Sequence, residues 1–326
     1  MLCDPGDVVL IEDRSYPTAM ETLKPMKLSA FPVRIDHGGI VVEELASVLE
    51  KWEGKLPKCI YTMPTGQNPT GVTMSLERRK SFYAVCQKYD IIIIEDDPYY
   101  FLQLGEPSAK GPDGEFSASN LLKGLIPSLL SLDTDGRVIR FDSFSKVMVP
   151  GSRTGSITSN KTFVERIIRH NEVNIQSASG FSQLILYSIL SRWTHDGYLQ
   201  WLEKIRLEYT RRRDALMAAF DKYLPKDLCS WNRPNSGMFL WIDVNLAAFP
   251  RPAGLTDEEF AADFEARAFE KAVENNVLLA KGQWFIVPPS SMLKHAGFRA
   301  TYAAASDEQM ILAAQRLAQT LRDLLV

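Results

Sequence analysis

Over its first 160 residues the chain alternates short apolar runs with amphipathic stretches, the pattern of β-α units building a mostly parallel sheet covered on both faces. Four runs, residues 8–11, 59–63, 91–94 and 138–141, are apolar and rich in β-branched side chains, as strands buried on both faces are. Between the second and third, Ser75 is placed to cap a helix running to about residue 89, with Glu77 in its first turn and Phe82, Val85 and Tyr89 at helical spacing. The stretch 105–119 is rich in Gly, Pro and Ser and reads as a surface loop between sheet strands. From 196 to 224 the pattern changes: Leu202, Ile205, Tyr209, Leu216, Phe220 and Tyr223 predict one long connecting helix ending near Pro225. Strand-like runs at 237–244 and 276–280 follow, separated by a helix from about 257 to 274. Ser306 and Gln309 then form a capping-box pattern ahead of Met310, Leu317, Leu321 and Leu324. The prediction is an α/β fold: a mostly parallel doubly wound sheet in a large domain (residues 1–195), then a connecting helix and a smaller C-terminal α+β domain (196–326).

A length of 326 residues suits about two domains. With 37 basic and 40 acidic side chains the net charge is −3, without long single-sign runs, which argues against nucleic-acid or anionic membrane partners. The Arg211, Arg212, Arg213 run reads as the solvated face of the long helix. No apolar stretch approaches a membrane span, since residues 121–132 are interrupted by Lys123 and Pro127. Cys3, Cys59, Cys86 and Cys229 form no C-x-x-C pair, so neither a zinc site nor a disulfide framework is written here. His37, His170, His195 and His295 show no ligand spacing and read as structural. Asp4 and Asp7 stand where a secretory signal would be basic, so the expected location is cytoplasmic.

In doubly wound sheets ligands bind beyond the carboxyl ends of the strands. After residue 11 come Glu12 to Pro17, including Tyr16; after Met63, Pro64-Thr65-Gly66-Gln67-Asn68-Pro69-Thr70-Gly71; after Ile94, Glu95-Asp96-Asp97-Pro98-Tyr99-Tyr100; after Phe141, Asp142-Ser143-Phe144-Ser145-Lys146, with Arg153 downstream. An amine, carboxylates, phenols, an amide, hydroxyls and a guanidinium make the set that pyridoxal phosphate uses: lysine for its aldehyde, carboxylate for its pyridine nitrogen, cations and donors for its phosphate.

These segments, in this order, resemble the fold-type I aminotransferases, and their wording is similar to the aromatic amino acid, 2-aminoadipate and kynurenine branch. The resemblance implies that Lys146 carries the cofactor as a Schiff base and then serves as general base. It implies that Asp96 holds the pyridinium proton. Asp97 competes by position, but the family's aspartate precedes its tyrosine by three, which pairs Asp96 with Tyr99 and leaves Tyr100 to packing. By the same resemblance Tyr99 and Asn68 meet the cofactor's phenolic oxygen, Tyr16 lies on the ring face, and Ser143, Ser145 and Arg153 contact the phosphate. Arg299, in Gly297-Phe298-Arg299-Ala300-Thr301-Tyr302, clamps the substrate α-carboxylate, with Asn68 also on the substrate side. No metal is implied. The substrates implied are amino acids and 2-oxo acids, 2-oxoglutarate being the usual acceptor, and the full-length family forms homodimers.

A Gly/Ser-rich phosphate turn, with its helix, is expected before the strand at 8–11, and none is present there. The chain thus resembles a family member shortened at its N-terminus, with weakened cofactor binding expected. The alternatives are a C–S lyase or decarboxylase on the same scaffold, an inactive remnant, and a ligand-sensing domain. The last is disfavoured by the lack of a helix-turn-helix segment.

Overall fold

The computed structural model describes residues 1–105 and 116–325; most of the loop expected at 105–119 lies outside them. A six-stranded sheet has the order β2-β1-β5-β6-β7-β8, made of β2 (Ser29–Val33), β1 (Val8–Glu12), β5 (Cys59–Thr62), β6 (Ile92–Asp96), β7 (Val138–Ser143) and β8 (Gly155–Thr158). All neighbours are parallel except β8, which runs antiparallel to β7. The four runs predicted as strands are its centre. Its outer strands β2 and β8 escape the pattern, because Ser-Ala-Phe-Pro-Val and Gly-Ser-Ile-Thr are too polar and too broken to read as buried. Between β2 and β5 lie a two-residue hairpin, β3 (Ile35–Asp36) with β4 (Gly39–Ile40), and helix α2 (Val42–Glu50).

The register separates two faces. Leu10, Ile60, Ile93 and Val138 lie side by side and are fully buried beneath α2 and α3 (Leu76–Lys88), against Leu45, Leu49, Phe82 and Cys86. Ser75 caps α3 as expected, its Oγ accepting from the Arg78 N–H at 3.2 Å. Truncating Phe82 to Ala would leave a cavity costing about 3–5 kcal/mol. On the opposite face, the row Ile11, Tyr61, Ile94, Ile139 and the row Asp96, Phe141, Ile157 floor a cavity of about 750 Å³. Its walls are the N-terminal segment around Cys3, α1 (Pro17–Leu23) and α5 (Lys161–Asn174).

A second, four-stranded antiparallel sheet has the order β11-β12-β10-β9: β11 (Ala280–Lys281), β12 (Gly297–Thr301), β10 (Phe239–Val244) and β9 (Cys229–Trp231). It packs against α7 (Asp257–Glu274), α8 (Asp307–Asp323) and the latter part of α6 (Gly180–Tyr223), with Leu216, Phe220, Leu240, Phe264 and Leu317 in the core. α6 breaks at Thr194 (φ 58°, ψ −175°), so the helix expected from 196 is its second segment. The Ser306–Gln309 capping box forms at α8.

Three expectations are corrected. The strand expected at 276–280 reduces to Ala280–Lys281, because Asn276 takes a left-handed turn (φ 56°) off α7. The strand expected from 237 starts at Phe239, since Gly237 turns with φ 75°. Arg213 is buried and not solvated: its Nη1 donates to the Pro234 carbonyl at 3.1 Å, whereas Arg211 stays exposed and pairs with Glu208 and Asp307. Helix α4 (Ala118–Gly124), capped by Ser117, occupies the end of the expected loop. Among the described residues no helix is long and apolar enough to cross a membrane.

Candidate active site

The loop after β5 is organised by one buried glutamine. Gln67 accepts on Oε1 from the Thr70 N–H (2.9 Å) and hydroxyl (2.6 Å), and donates from Nε2 to Glu12 Oε2 (2.9 Å) and the Arg14 carbonyl. Glu12 closes the network, accepting from the Thr62 hydroxyl (2.6 Å) and the Met63 N–H (3.2 Å), and burial pushes its carboxyl up to about 7. Glycines let this loop press onto the second sheet. Gly66 (φ 58°) and Gly237 meet backbone to backbone, where a Cβ on Gly66 would fall 2.7 Å from the Gly237 nitrogen. A Cβ on Gly71 (φ 70°) would fall 2.4 Å from the Phe239 carbonyl oxygen.

That contact brings together residues 231 positions apart: Arg299 Nη1 donates to Asn68 Oδ1 at 2.8 Å. The guanidinium of Arg299 lies between two aromatic rings, 4.1 Å from the Phe239 centroid and 4.8 Å from that of Phe285. Tyr99 packs edge-on against Phe239 (5.9 Å), and burial holds its phenol well above the usual range. Its hydroxyl has no hydrogen-bond partner among the described residues. Tyr16 heads α1 and is 40% exposed; the neighbouring Ser15 N–H donates to the Phe285 carbonyl at 2.8 Å. Tyr16 and Tyr99 are both close enough to act electrostatically on Arg299.

The adjacent aspartates separate by face. Asp97 is fully buried on the helix-covered side, accepting from Thr65 Oγ1 and Arg140 Nη1, both at 3.2 Å, within a cluster containing Glu95 and Arg79. The partners of its Oδ2 are internal, while its Oδ1 is buried without a hydrogen-bond partner among the described residues. Asp96 opens on the 750 Å³ cavity together with Tyr16, and the Tyr61 hydroxyl donates to its Oδ2. Burial raises the Asp96 carboxyl, and the Tyr61 hydrogen bond pulls it back down. Tyr100 packs under the Arg140 guanidinium, 4.4 Å from its ring centroid.

The turn after β7 gathers Ser143, Ser145, Lys146 and Arg153. Ser143 Oγ accepts from the Ser145 N–H (3.1 Å), and Arg153 Nη1 donates to Ser145 Oγ (3.2 Å) and to the Pro150 carbonyl (3.1 Å). Arg153 holds a left-handed backbone (φ 49°, ψ 41°), a conformation costing a non-glycine residue on the order of 1 kcal/mol. Lys146 is half-buried, and its amine takes no hydrogen bond or ion pair among the described residues. It is not among the residues lining the cavity that Asp96 and Tyr16 share. The geometry thus forms three groups: Asn68 with Arg299 and Tyr99, Asp96 with Tyr16 and Tyr61, and Lys146 with the serines and Arg153.

Sequence reasoning misses Tyr61, Glu12 and Gln67. Tyr61 sits inside an apolar run and reads as core. Glu12 and Gln67 flank the motif residues, and only pairing across two strand ends reveals them.

The family model for aminotransferase class I and II matches residues 1–317. An aromatic amino acid aminotransferase of Schizosaccharomyces pombe is 44% identical over 99% of this chain and 69% of its own length. The crystal structure of the aminotransferase Aro8 from Candida albicans superimposes with a TM-score of 0.89 at 38% identity, covering 99% of this chain and 69% of that one. LysN, an alpha-aminoadipate aminotransferase of Thermus thermophilus solved with N-(5'-phosphopyridoxyl)-L-leucine, superimposes with a TM-score of 0.82 at 25% identity, over 99% of this chain and 73% of that one.

Proposed function

The chain belongs to the class I and II aminotransferases, and from that premise we propose that it moves the amino group of an aromatic amino acid or of 2-aminoadipate to 2-oxoglutarate, with pyridoxal phosphate as cofactor. The substrate classes follow the names of its relatives. The donor set fits the cofactor: a lysine amine and a phenol that have no partner among the described residues, a hydroxyl-guanidinium cluster beside the lysine, and a cavity-facing carboxylate. Bound pyridoxal phosphate supplies an aldehyde for the lysine amine and a protonated ring that accepts electron density from the substrate Cα.

Asp96, as carboxylate, would hold the proton on the ring nitrogen. Tyr16 would cover the ring, and Asn68 and Tyr99 would donate to the ring oxygen. Ser143, Ser145 and Arg153 would hold the phosphate, the Arg153 guanidinium having the planar fork that suits it. Lys146 Nζ takes the proton from the substrate Cα. Arg299 binds the α-carboxylate in a planar fork, which fixes the Cα–H bond relative to the ring. The observation that carries this reading is the Arg299–Asn68 contact beside Tyr99, which joins the expected carboxylate clamp to the expected cofactor contacts.

The test adds saturating cofactor, reduces with borohydride and locates the added mass by peptide mapping. The expected adduct sits on Lys146 and vanishes in Lys146→Ala; an adduct elsewhere, or one that persists in the variant, refutes the assignment. Product formation that needs no 2-oxo acid acceptor would assign a lyase or decarboxylase instead. We also propose a homodimer, supported by the apolar side chains that α5 and the first segment of α6 leave exposed, including Val173 (86%), Phe181 (83%) and Tyr187 (70%). Light scattering reporting only monomer would overturn that assembly.

A further inference from the structure

We propose that Cys3 and Cys59 form a modification site: an oxidisable dithiol that a hydroperoxide converts to an intramolecular disulfide tying the N-terminal segment to β5. The two sulfurs lie 3.7 Å apart although the residues are 56 positions apart in sequence. All four cysteines of the chain are free, and Cys86 and Cys229 are buried in separate cores.

The neighbours of both cysteines hold the pair in register. Lys58, next to Cys59, pairs with Asp4, next to Cys3, at 2.9 Å, and with Asp7 at 2.9 Å. The segment is further bent back on itself, the Asp7 N–H donating to the Asp4 carbonyl (2.9 Å) and the Asp4 N–H to Asp7 Oδ2 (3.0 Å). These backbone and lysine hydrogen bonds hold the Asp7 carboxyl well below the usual range, so this clasp stays charged across the neutral pH region. Cys59 is fixed on the other side: its backbone sits between Val9 of β1 and Ile92 of β6. Bond formation asks the sulfurs to close from 3.7 Å to about 2.05 Å, a movement that falls to the segment carrying Cys3, which lies outside the sheet strands.

The two thiols have different exposures, which orders the chemistry. Both cysteines line the cavity, but Cys3 is half-buried whereas Cys59 is buried. The peroxide oxygen transfers to Cys3 Sγ, giving a sulfenic acid and releasing the corresponding alcohol, or water from hydrogen peroxide itself. Cys59 Sγ then attacks that sulfur, the S–S bond forms, and the sulfenic oxygen leaves as water with the two protons, so that two thiols are oxidised by two electrons and one peroxide is reduced. Burial pushes the Cys59 thiol well above its usual range, so the second step is slow at neutral pH and accelerates as pH rises.

The experiment treats the full chain with hydrogen peroxide, counts thiols in denaturant and maps tryptic peptides without reduction. The expected result is a fall from four thiols to two, with residues 1–14 linked to residues 59–78. Closing a loop of this length raises the unfolding midpoint by roughly 5–10 °C, reversed by dithiothreitol. In Cys3→Ser, which leaves the sheet untouched, both the linkage and the shift are lost, while Cys229→Ser retains them. Four surviving thiols, a Cys3 that stops at sulfinic acid, a link to Cys86 or Cys229, or a Cys3–Cys3 dimer on a non-reducing gel would each overturn the proposal.

Discussion

Removing one hydroxyl, in Tyr61→Phe, isolates the only side chain that donates to Asp96 among the described residues. The phenol is itself kept protonated by burial and by the Asp96 charge, so it acts as a donor throughout the working pH range. A hydrogen bond to an ionised acceptor is worth about 1.5–3 kcal/mol, and one pKa unit corresponds to about 1.36 kcal/mol. The variant's Asp96 carboxyl therefore moves further upward, losing a hydrogen bond that lowers it while the burial that already raises it remains. For a carboxyl raised in the folded state, the stability it contributes is full below its unfolded pKa and is lost as pH rises through the folded one. The gap in unfolding free energy between wild type and Tyr61→Phe consequently stays constant until pH passes the raised Asp96 value of the wild type, widens above it, and levels off once the variant's Asp96 is ionised. Carbon NMR of aspartate-labelled chain reads the midpoint directly, with Asp96→Asn identifying the resonance. A second readout is cofactor affinity: because only the carboxylate holds the ring proton, the loss in Tyr61→Phe is larger at about pH 6 than at about pH 9. A midpoint that stays or falls, or an affinity loss independent of pH, would refute the coupling of Tyr61 to Asp96.

Arg299→Lys keeps the charge but gives up the fork and the stacking between Phe239 and Phe285; KM for the amino acid is expected to rise about 10- to 100-fold in steady-state assays, with a smaller change in kcat. Gly71→Ala meets a positive φ and a backbone oxygen 2.4 Å from the new Cβ, so urea unfolding should report a loss of about 2 kcal/mol or more; a neutral effect would mean the loop does not press on Phe239 as described. Glu265 accepts from the Gln283 and Gly297 N–H groups at 2.9 Å, and burial pushes its carboxyl up to about 7. Its ionisation above the unfolded value of 4.5 therefore removes up to about 3 kcal/mol of stability as pH rises through 7. The stability advantage of wild type over Glu265→Gln should shrink between about pH 5 and pH 8, and an advantage that grows with pH would show the sign to be wrong.

The centre of the large sheet is legible in the sequence because its strands carry their own signal: four β-branched runs, each followed at once by polar, chemically capable residues. The same locality lets the family resemblance attach expected roles to Asn68, Asp96, Tyr99, Ser143, Ser145, Lys146 and Arg153. What the sequence withholds is relational. That Asn68 meets Arg299 depends on Gly66 and Gly71 letting one loop touch the second sheet, and nothing near residue 68 announces residue 299. The strand β12 carrying Arg299 escapes the pattern too, since Gly-Phe-Arg-Ala-Thr has no apolar alternation strong enough to read, and its partner β10 supplies the pairing. Arg213 departs from expectation for a similar reason: three consecutive arginines on a helix span about 200° of its circumference, so at least one has to turn inward, and the Pro234 carbonyl is what receives it.

The choice between Asp96 and Asp97 shows how the two levels join. On a strand, neighbouring residues point to opposite faces, so one of two adjacent carboxylates at the end of β6 must enter the cavity and the other must enter the helix-covered core. Asp97 lies just beyond the strand and turns its Oδ2 to Arg140 and Thr65, groups that offset its charge internally. Asp96 goes to the face where Ile11, Tyr61, Ile94 and Ile139 make a floor apolar enough to strengthen any charge interaction placed at its rim. The pattern rule alone says the two differ; the register says which is which, and it does so through Tyr61, whose hydroxyl reaches only the aspartate on its own face.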